Sequence, residues 1–278
     1  MTYGFVGLGQ MGAPMARRLI GRDLIVYDAR PAAMEPLVQD GARAADRLAD
    51  VASASLISLM VRDDAQVDEV VTALLSSVEP GTVIAIHSTI HAATATALAG
   101  RARPYGVEIV DAPVSGGFMG AAAGTLAVMV GGTATAFDRV REPFSAWADL
   151  ILHAGPVGAG THLKLARNLL HFVAFTAAAE AERLAEAAGV SLTKLGRVVR
   201  HSDAVTGGPG SIMIRRTTAP LDPSDPLHDI MCHVRDLGEK DLSLALALAD
   251  ELGVDTPLAR LSRARFAEGL GVPPGGVS

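Results

Sequence analysis

The sequence predicts an α/β domain built on a mostly parallel sheet, followed by an all-helical domain, with a long helix joining the two. Three observations predict it. Short apolar runs alternate with helical patterns through the first half of the chain, which is how β-α-β units read in sequence. A glycine turn, Gly7-Leu8-Gly9-Gln10-Met11-Gly12, follows the first of those runs. Beyond a second turn, Gly155-Pro156-Val157-Gly158-Ala159-Gly160, the pattern is helical to the end. Residues 1–160 are therefore expected as the α/β domain and residues 161–278 as the helical one.

The elements follow in order. Residues Tyr3–Val6 read as a buried strand, residues 13–20 as a helix, and Leu24–Tyr27 as a second strand ending in Asp28. The three turn glycines have separate reasons. Gly7 permits the tight turn, Gly9 lets the backbone approach a pyrophosphate, and Gly12 lets helix and strand pack closely. Asp28, nineteen residues beyond Gly9, is placed to accept hydrogen bonds from a ribose and to repel a 2′-phosphate, so NAD is expected over NADP. This is the Rossmann-like dinucleotide pattern, with Gly7, Leu8, Gly9, Gln10, Met11, Gly12 and Asp28 as cofactor-binding candidates. Arg30 is expected as a solvated turn residue.

The alternation continues with strands at 56–61, 82–87, 107–111, 126–130 and 150–153, and helices at 64–75 and 92–100. Met60, Val61, Ser88, Thr89 and Ser115 fall at strand ends, where such sheets bind ligands. His87 and His91 are expected on the surface or supporting the site from behind. Residues 161–188 contain neither Gly nor Pro; at 1.5 Å per residue such a helix is about 42 Å long. Lys164 and Asn168, four apart, project from one face of its first turns, and His171 lies on that face one turn later. Residues 192–201 and 241–252 are the clearest later helices, with loops at 206–210 and 219–226.

Composition narrows the function. Hydrophobic residues are 49% of the 278, but aromatics only 4%, which suits closely packed helices. The net charge is −6 without a basic cluster, so no nucleic-acid partner is expected. Cys232 is the single cysteine, so no intrachain disulfide forms and a reducing compartment fits. No signal peptide or membrane span is read, and a cytoplasmic protein is expected. Asp229, Cys232 and His233 lack the spacing of a metal site, and no metal is expected.

The stretch at 111–132, DAPVSGGFMGAAAGTLAVMVGG, places Ser115, Gly116 and Gly117 after an apolar run and a Pro, where backbone N–H groups can face an anion. With the N-terminal glycine turn and a Gly158…Lys164…Asn168 element, it resembles the β-hydroxyacid dehydrogenase family, whose members include 3-hydroxyisobutyrate dehydrogenase, nearly end to end. The resemblance implies reversible NAD-dependent oxidation of a small 3-hydroxy acid in a cleft between the domains. Lys164 would be the general acid/base, and Asn168 would orient it and the substrate. Ser115, Gly116 and Gly117 would hold the carboxylate, and Lys240, in Lys240-Asp241-Leu242, would approach both carboxylate and nicotinamide. Met60, Val61 and Thr89 would lie near the cofactor.

Two positions depart from the family pattern. Ala92 stands where a Pro is usual, and His233 where relatives carry a Phe lining the substrate site, so a more polar substrate side is expected. In NADP-using relatives an Asn-Arg pair follows the second strand; here it is Asp28-Ala29. Relatives are usually dimers or tetramers with interlocked helical domains, so a homo-oligomer is expected. The rival readings are a reductase of a small aldehyde acid, an imine reductase, disfavoured by Lys164, a phosphogluconate dehydrogenase, which has a longer helical part, and a non-enzymatic NAD-binding module.

Overall fold

The computed structural model describes residues 1–275. The chain divides into two compact units, Met1–Asn168 and Leu169–Ser278. The expected boundary at 160 lies ahead of the observed one because the first turns of the long helix belong to the sheet unit.

In the first unit the strands are β1 (Tyr3–Val6), β2 (Leu24–Tyr27), β3 (Arg43–Ala44), β4 (Leu56–Leu59), β5 (Val83–Ile86), β6 (Glu108–Asp111), β7 (Val114–Ser115), β8 (Leu126–Gly131) and β9 (Ala148–Gly155). The helices are α1 (Gly12–Arg17), α2 (Glu35–Gln39), α3 (Asp64–Leu75), α4 (Ala92–Ala102), α5 (Gly117–Ala123) and α6 (Ala134–Phe144). Among the described residues the strands form one nine-stranded sheet in the order β3-β2-β1-β4-β5-β6-β8-β7, with β9 beside β8. All pairs are parallel except β6–β8 and β7–β8. The mostly parallel sheet is as the sequence predicts, and the strand order reverses direction at β1, where open α/β sheets bind ligands.

Alternation with period two feeds two cores. Phe5, Val26, Val83 and Ala85 point to one face, against Met15, Phe144 and Trp147. Val6, Ile25, Ile84 and Ile86 point to the other, against Val67, Val71 and Leu98. Both faces are covered, which is why these strands read as unbroken apolar runs rather than alternating ones. Helix starts are sealed locally: the Asp63 carboxylate accepts from Gln66 N–H at 3.0 Å, and Thr133 Oγ1 from Ala136 N–H at 3.0 Å, as N-cap chemistry requires.

His87 corrects its expectation. It is not at the surface but in the core, behind the strand ends that lead into Ser88 and Thr89. It is 1% exposed, packed against Phe144 and Trp147, with Nδ1 2.8 Å from Ala112 O and Nε2 3.1 Å from Ser58 Oγ. His91 is exposed and bonds Asp64 through Nδ1.

The long helix α7 (Ala159–Ala187) continues into the second unit, which adds α8 (Leu192–Thr206), α9 (His228–Leu252) and α10 (Pro257–Leu270). Glu180, 5% exposed, accepts from Leu258 N–H at 2.8 Å and Ala259 N–H at 2.9 Å. It satisfies the first turn of α10, whose donors have no partner within the helix. The expected helix at 241–252 is longer than predicted: α9 begins at His228, so His233 and Lys240 stand inside it rather than before it. The reason is Gly238. A Cβ there would collide with the ring of Phe266, so this glycine seats α9 against α10 instead of ending a helix. No helix of the described residues is long and apolar enough to cross a membrane.

Candidate active site

The glycine turn is built as its residue types demand. Gly7 has φ +91°, and a Cβ on it would collide with Met60 O. A Cβ on Gly12 would collide with Gly7 O, so α1 can start this close only on a glycine. Gly9 has nothing within 4 Å of its would-be Cβ, and Gly9 and Gln10 are exposed. The turn is therefore tight on two of its glycines and open on the third. No side chain caps α1 at Met11. That is a cradle shaped for a dinucleotide pyrophosphate, which would meet bare backbone there.

The neighbouring strand ends close around it. Asp28, at the end of β2, accepts from Leu8 N–H through Oδ2 at 2.7 Å and from Arg30 N–H through Oδ1 at 2.9 Å. The Arg30 Nε lies 3.5 Å from the same Oδ1 while its side chain is 75% exposed. Asp28 thus does two things at once: it braces the glycine turn and presents the acid expected at a ribose site. Met60 N–H bonds to Val6 O at 2.9 Å. Ser88 Oγ accepts from Val61 N–H at 3.0 Å and donates to Val61 O at 2.7 Å. These bonds gather Gly7, Leu8, Asp28, Met60, Val61 and Ser88 at the ends of β1, β2, β4 and β5. Thr89 is exposed at the next position.

Ser115 ends the short strand β7, with Gly116 at φ +130° and Gly117 at φ +65° opening α5. Only glycine takes such angles without strain. Both glycines are exposed, and a Cβ at Gly117 would meet open space, so the turn's backbone is accessible to an anion.

Lys164 stands in the second turn of α7 and is 8% exposed. Burial, with the charge of Arg167 adding to it, pushes its ammonium down from 10.5 to about 8. A buried ammonium loses hydration that the neutral amine does not need, which is the cause of the shift. Asn168, one turn on, is half-buried and accepts from Arg167 Nη1 at 3.2 Å. His171 packs against aromatics, its ring centroid 4.4 Å from that of Phe175 with the planes tilted by 56°.

The site depends on a residue the sequence shows only as the end of a strand. Asp111, fully buried, accepts from Gly158 N–H through Oδ1 at 2.7 Å and from Thr161 N–H through Oδ2 at 2.6 Å. Burial pushes its carboxyl up, against these bonds, which hold it down. Two glycines make room for it. A Cβ on Gly131 would collide with Asp111 Oδ1, and one on Gly160 with Met129 O. Asp111 and the start of α7 are about fifty positions apart, so no spacing rule links them.

His233 and Lys240 lie exposed on α9 in the helical unit, with Lys240 Nζ 3.2 Å from Asp241 Oδ1. Among the described residues no group of three His, Cys, Asp or Glu side chains could hold a metal.

Comparison with known proteins agrees with this construction. Residues 2–155 match the family model for the NAD-binding domain of 6-phosphogluconate dehydrogenase. Residues 158–272 match that described as NAD-binding of NADP-dependent 3-hydroxyisobutyrate dehydrogenase. An uncharacterized oxidoreductase of Mycobacterium tuberculosis is 58% identical over 97% of this chain and 93% of its own. The NAD-dependent L-serine dehydrogenase of Pseudomonas aeruginosa is 36% identical over 93% of this chain and 88% of its own. A solved structure of the Mycobacterium tuberculosis 3-hydroxyisobutyrate dehydrogenase with L-serine superposes with TM-score 0.68 at 31% identity, covering 98% of this chain and 96% of that one. These matches show an oxidoreductase family with NAD-binding domains, and the chain belongs to the β-hydroxyacid dehydrogenase family.

Proposed function

We propose that this protein reversibly oxidises the alcohol of a small 3-hydroxy acid to the aldehyde or keto acid, with NAD as cofactor and Lys164 as general acid/base. The observation that carries the reading is Lys164 itself. It is a buried lysine with its ammonium lowered to about 8, near the pH at which proton transfer in both directions is efficient. When bound, the cofactor supplies the hydride acceptor. In its neutral form Lys164 takes the hydroxyl proton as the C–H bond gives up its hydride, and in its charged form it returns the proton in the reverse reaction. Asn168 orients Lys164 and the substrate.

Gly7, Leu8, Gly9, Gln10, Met11 and Gly12 cradle the pyrophosphate, Asp28 meets the ribose, and Met60, Val61 and Thr89 flank the cofactor. The accessible backbone of Ser115, Gly116 and Gly117 receives the carboxylate, with Lys240 as a second cation and His233 on the substrate side. A β-hydroxyl and a carboxylate are common to L-serine and 3-hydroxyisobutyrate, which differ at the α-carbon, where serine carries an ammonium and 3-hydroxyisobutyrate a methyl group. L-Serine is favoured by the relative that oxidises it and by His233 standing where a Phe is usual.

The test is Lys164→Ala. General acid–base catalysis contributes about 10²- to 10⁴-fold, so kcat for NADH formation from a panel of 3-hydroxy acids should fall by about that factor. Cofactor affinity, read by fluorescence titration, should stay within about twofold, because the contacts assigned to the dinucleotide lie elsewhere and every tenfold loss needs about 1.4 kcal/mol. A variant that keeps more than about a tenth of wild-type kcat overturns the assignment.

A further inference from the structure

We propose that Asp111 is a positioning residue that fixes where Lys164 stands, by clamping the first turn of α7 to the end of β6. The inference rests on the reading of Lys164 as the acid/base but concerns a residue to which that reading gives no part.

Four observations carry it. The Asp111 side chain is fully buried in the sheet unit, where an ionised carboxylate is costly unless its oxygens are bonded. Each oxygen takes one N–H of the helix start, from Gly158 and Thr161. These donors come before the first internal bonds of the helix and need an outside acceptor. Gly131, the register partner of Asp111 across β6 and β8, and Gly160 leave no room for side chains around this contact, so the helix start has one seat. Finally, Thr161 is three residues before Lys164, on the same helix face. A displacement of Thr161 therefore carries Lys164 with it.

The local chemistry supports positioning over direct catalysis. Asp111 is sealed beneath the helix, and both of its oxygens face backbone N–H groups of the helix start. The charge that acts on Lys164 is that of Arg167 on its own helix, while the Asp111 carboxylate is bonded to the helix start. A misplacement of about 1 Å in a catalytic group can cost about 10² in rate, so a loosened first turn is enough to matter.

The experiment uses the fact that the chain has three lysines, Lys164, Lys194 and Lys240. Reductive ¹³C-methylation gives each a resolvable NMR signal, and its titration is read without any turnover. In the wild type Lys164 should titrate near 8. In Asp111→Asn one oxygen becomes an NH₂ facing a backbone N–H, the turn shifts, and water reaches the amine. The Lys164 midpoint should then rise toward 10.5, because rehydration restores the charged form. In the unmethylated variant kcat should fall about 10- to 100-fold, with KM for the cofactor unchanged.

An unchanged Lys164 midpoint overturns the proposal. A lowered midpoint also overturns it, because it would mean that Asp111 acts on Lys164 as a charge. Should Asp111→Asn fail to fold, hydrogen exchange in the wild type decides. The Gly158 and Thr161 amides should exchange far more slowly than other first-turn helix amides, and fast exchange at either overturns the clamp. Because the titration needs no substrate, failure of the hydroxy-acid reading and failure of this one give different results.

Discussion

Lys164 and His87 show what burial does to single residues, with opposite uses. Burial lowers Lys164 to about 8, so the neutral amine that accepts the proton is populated as pH rises through that value. Oxidation of the hydroxy acid should therefore climb with pH up to about 8 and level off. Reduction, which needs the ammonium, should be flat below about 8 and fall above it. Opposed limbs in kcat/KM measured in the two directions check this, and parallel limbs would exclude Lys164 as the shared group. His87 is held neutral in the core, its ring lowered from 6.5 to about 4. Its folded pKa lies below its unfolded one, so its stabilising effect is complete above about 6.5 and is lost as pH falls toward 4. At about 1.4 kcal/mol per unit that loss reaches roughly 3 kcal/mol. The urea midpoint of the wild type should fall between pH 7 and 5 more steeply than that of His87→Leu; equal slopes would show that other groups set the acid limit. The placement of Lys164 and Asn168 on one long helix was legible in sequence, and the role proposed for them came from the family pattern. The burial of His87 and the clamp of Asp111 were not, because both are made by contacts between residues 25 to 50 positions apart, and nothing local marks them.

At the scale of elements, strong local signals were read correctly. The helix Asp64–Leu75 is found as predicted, since Asp63 marks its start and the apolar period is clear. The glycine turn shows the close packing its spacing implies at Gly7 and Gly12 and is open at Gly9. Strand ends were overrun where the ladder stops for tertiary reasons, as at Val61, whose N–H is taken by Ser88 rather than by a neighbouring strand. The start of α9 was misplaced because a helix glycine reads as a breaker unless its packing partner, here Phe266, is known. Cofactor choice belongs to this scale, because it is made by the turn after β2 as a unit. Asp28 and Arg30 are bonded to each other, so the acid proposed to repel a 2′-phosphate also holds the arginine two residues on. The expected outcome is a higher kcat/KM with NAD than with NADP. Asp28→Asn with Ala29→Arg should move preference toward NADP, by removing the repulsion and adding a bidentate phosphate partner. A wild-type preference for NADP would transfer control to Arg30, and Arg30→Ala would then abolish it.

For the whole molecule, the helical unit presents a problem that one copy does not solve. Among the described residues its buried hydrophobics are only Met231, Ala249, Ala267, Leu270 and Val272. Large apolar side chains meanwhile stand exposed along three of its helices: Leu169, Phe172 and Phe175 on α7, Val198 and Val205 on α8, and Ile230, Leu237 and Leu244 on α9. The last three recur at seven-residue spacing, a stripe that a helix normally buries. Large apolar side chains exposed in such number point to an association face, and closed symmetric dimers are the commonest way to cover one. We propose that the protein is a homo-oligomer, a dimer or a tetramer, whose helical units cover one another. Sedimentation at micromolar concentration should show no significant population at the 28.7 kDa of a single chain. Leu237→Asp with Leu244→Asp places two charges in the stripe; burying an unpaired charge costs several kcal/mol, so the variant should dissociate or unfold at a lower temperature. Its NAD binding, if the sheet unit folds independently, should survive dissociation. A wild type that sediments as a monomer, with a double variant of equal thermal stability, would show that this face needs no partner.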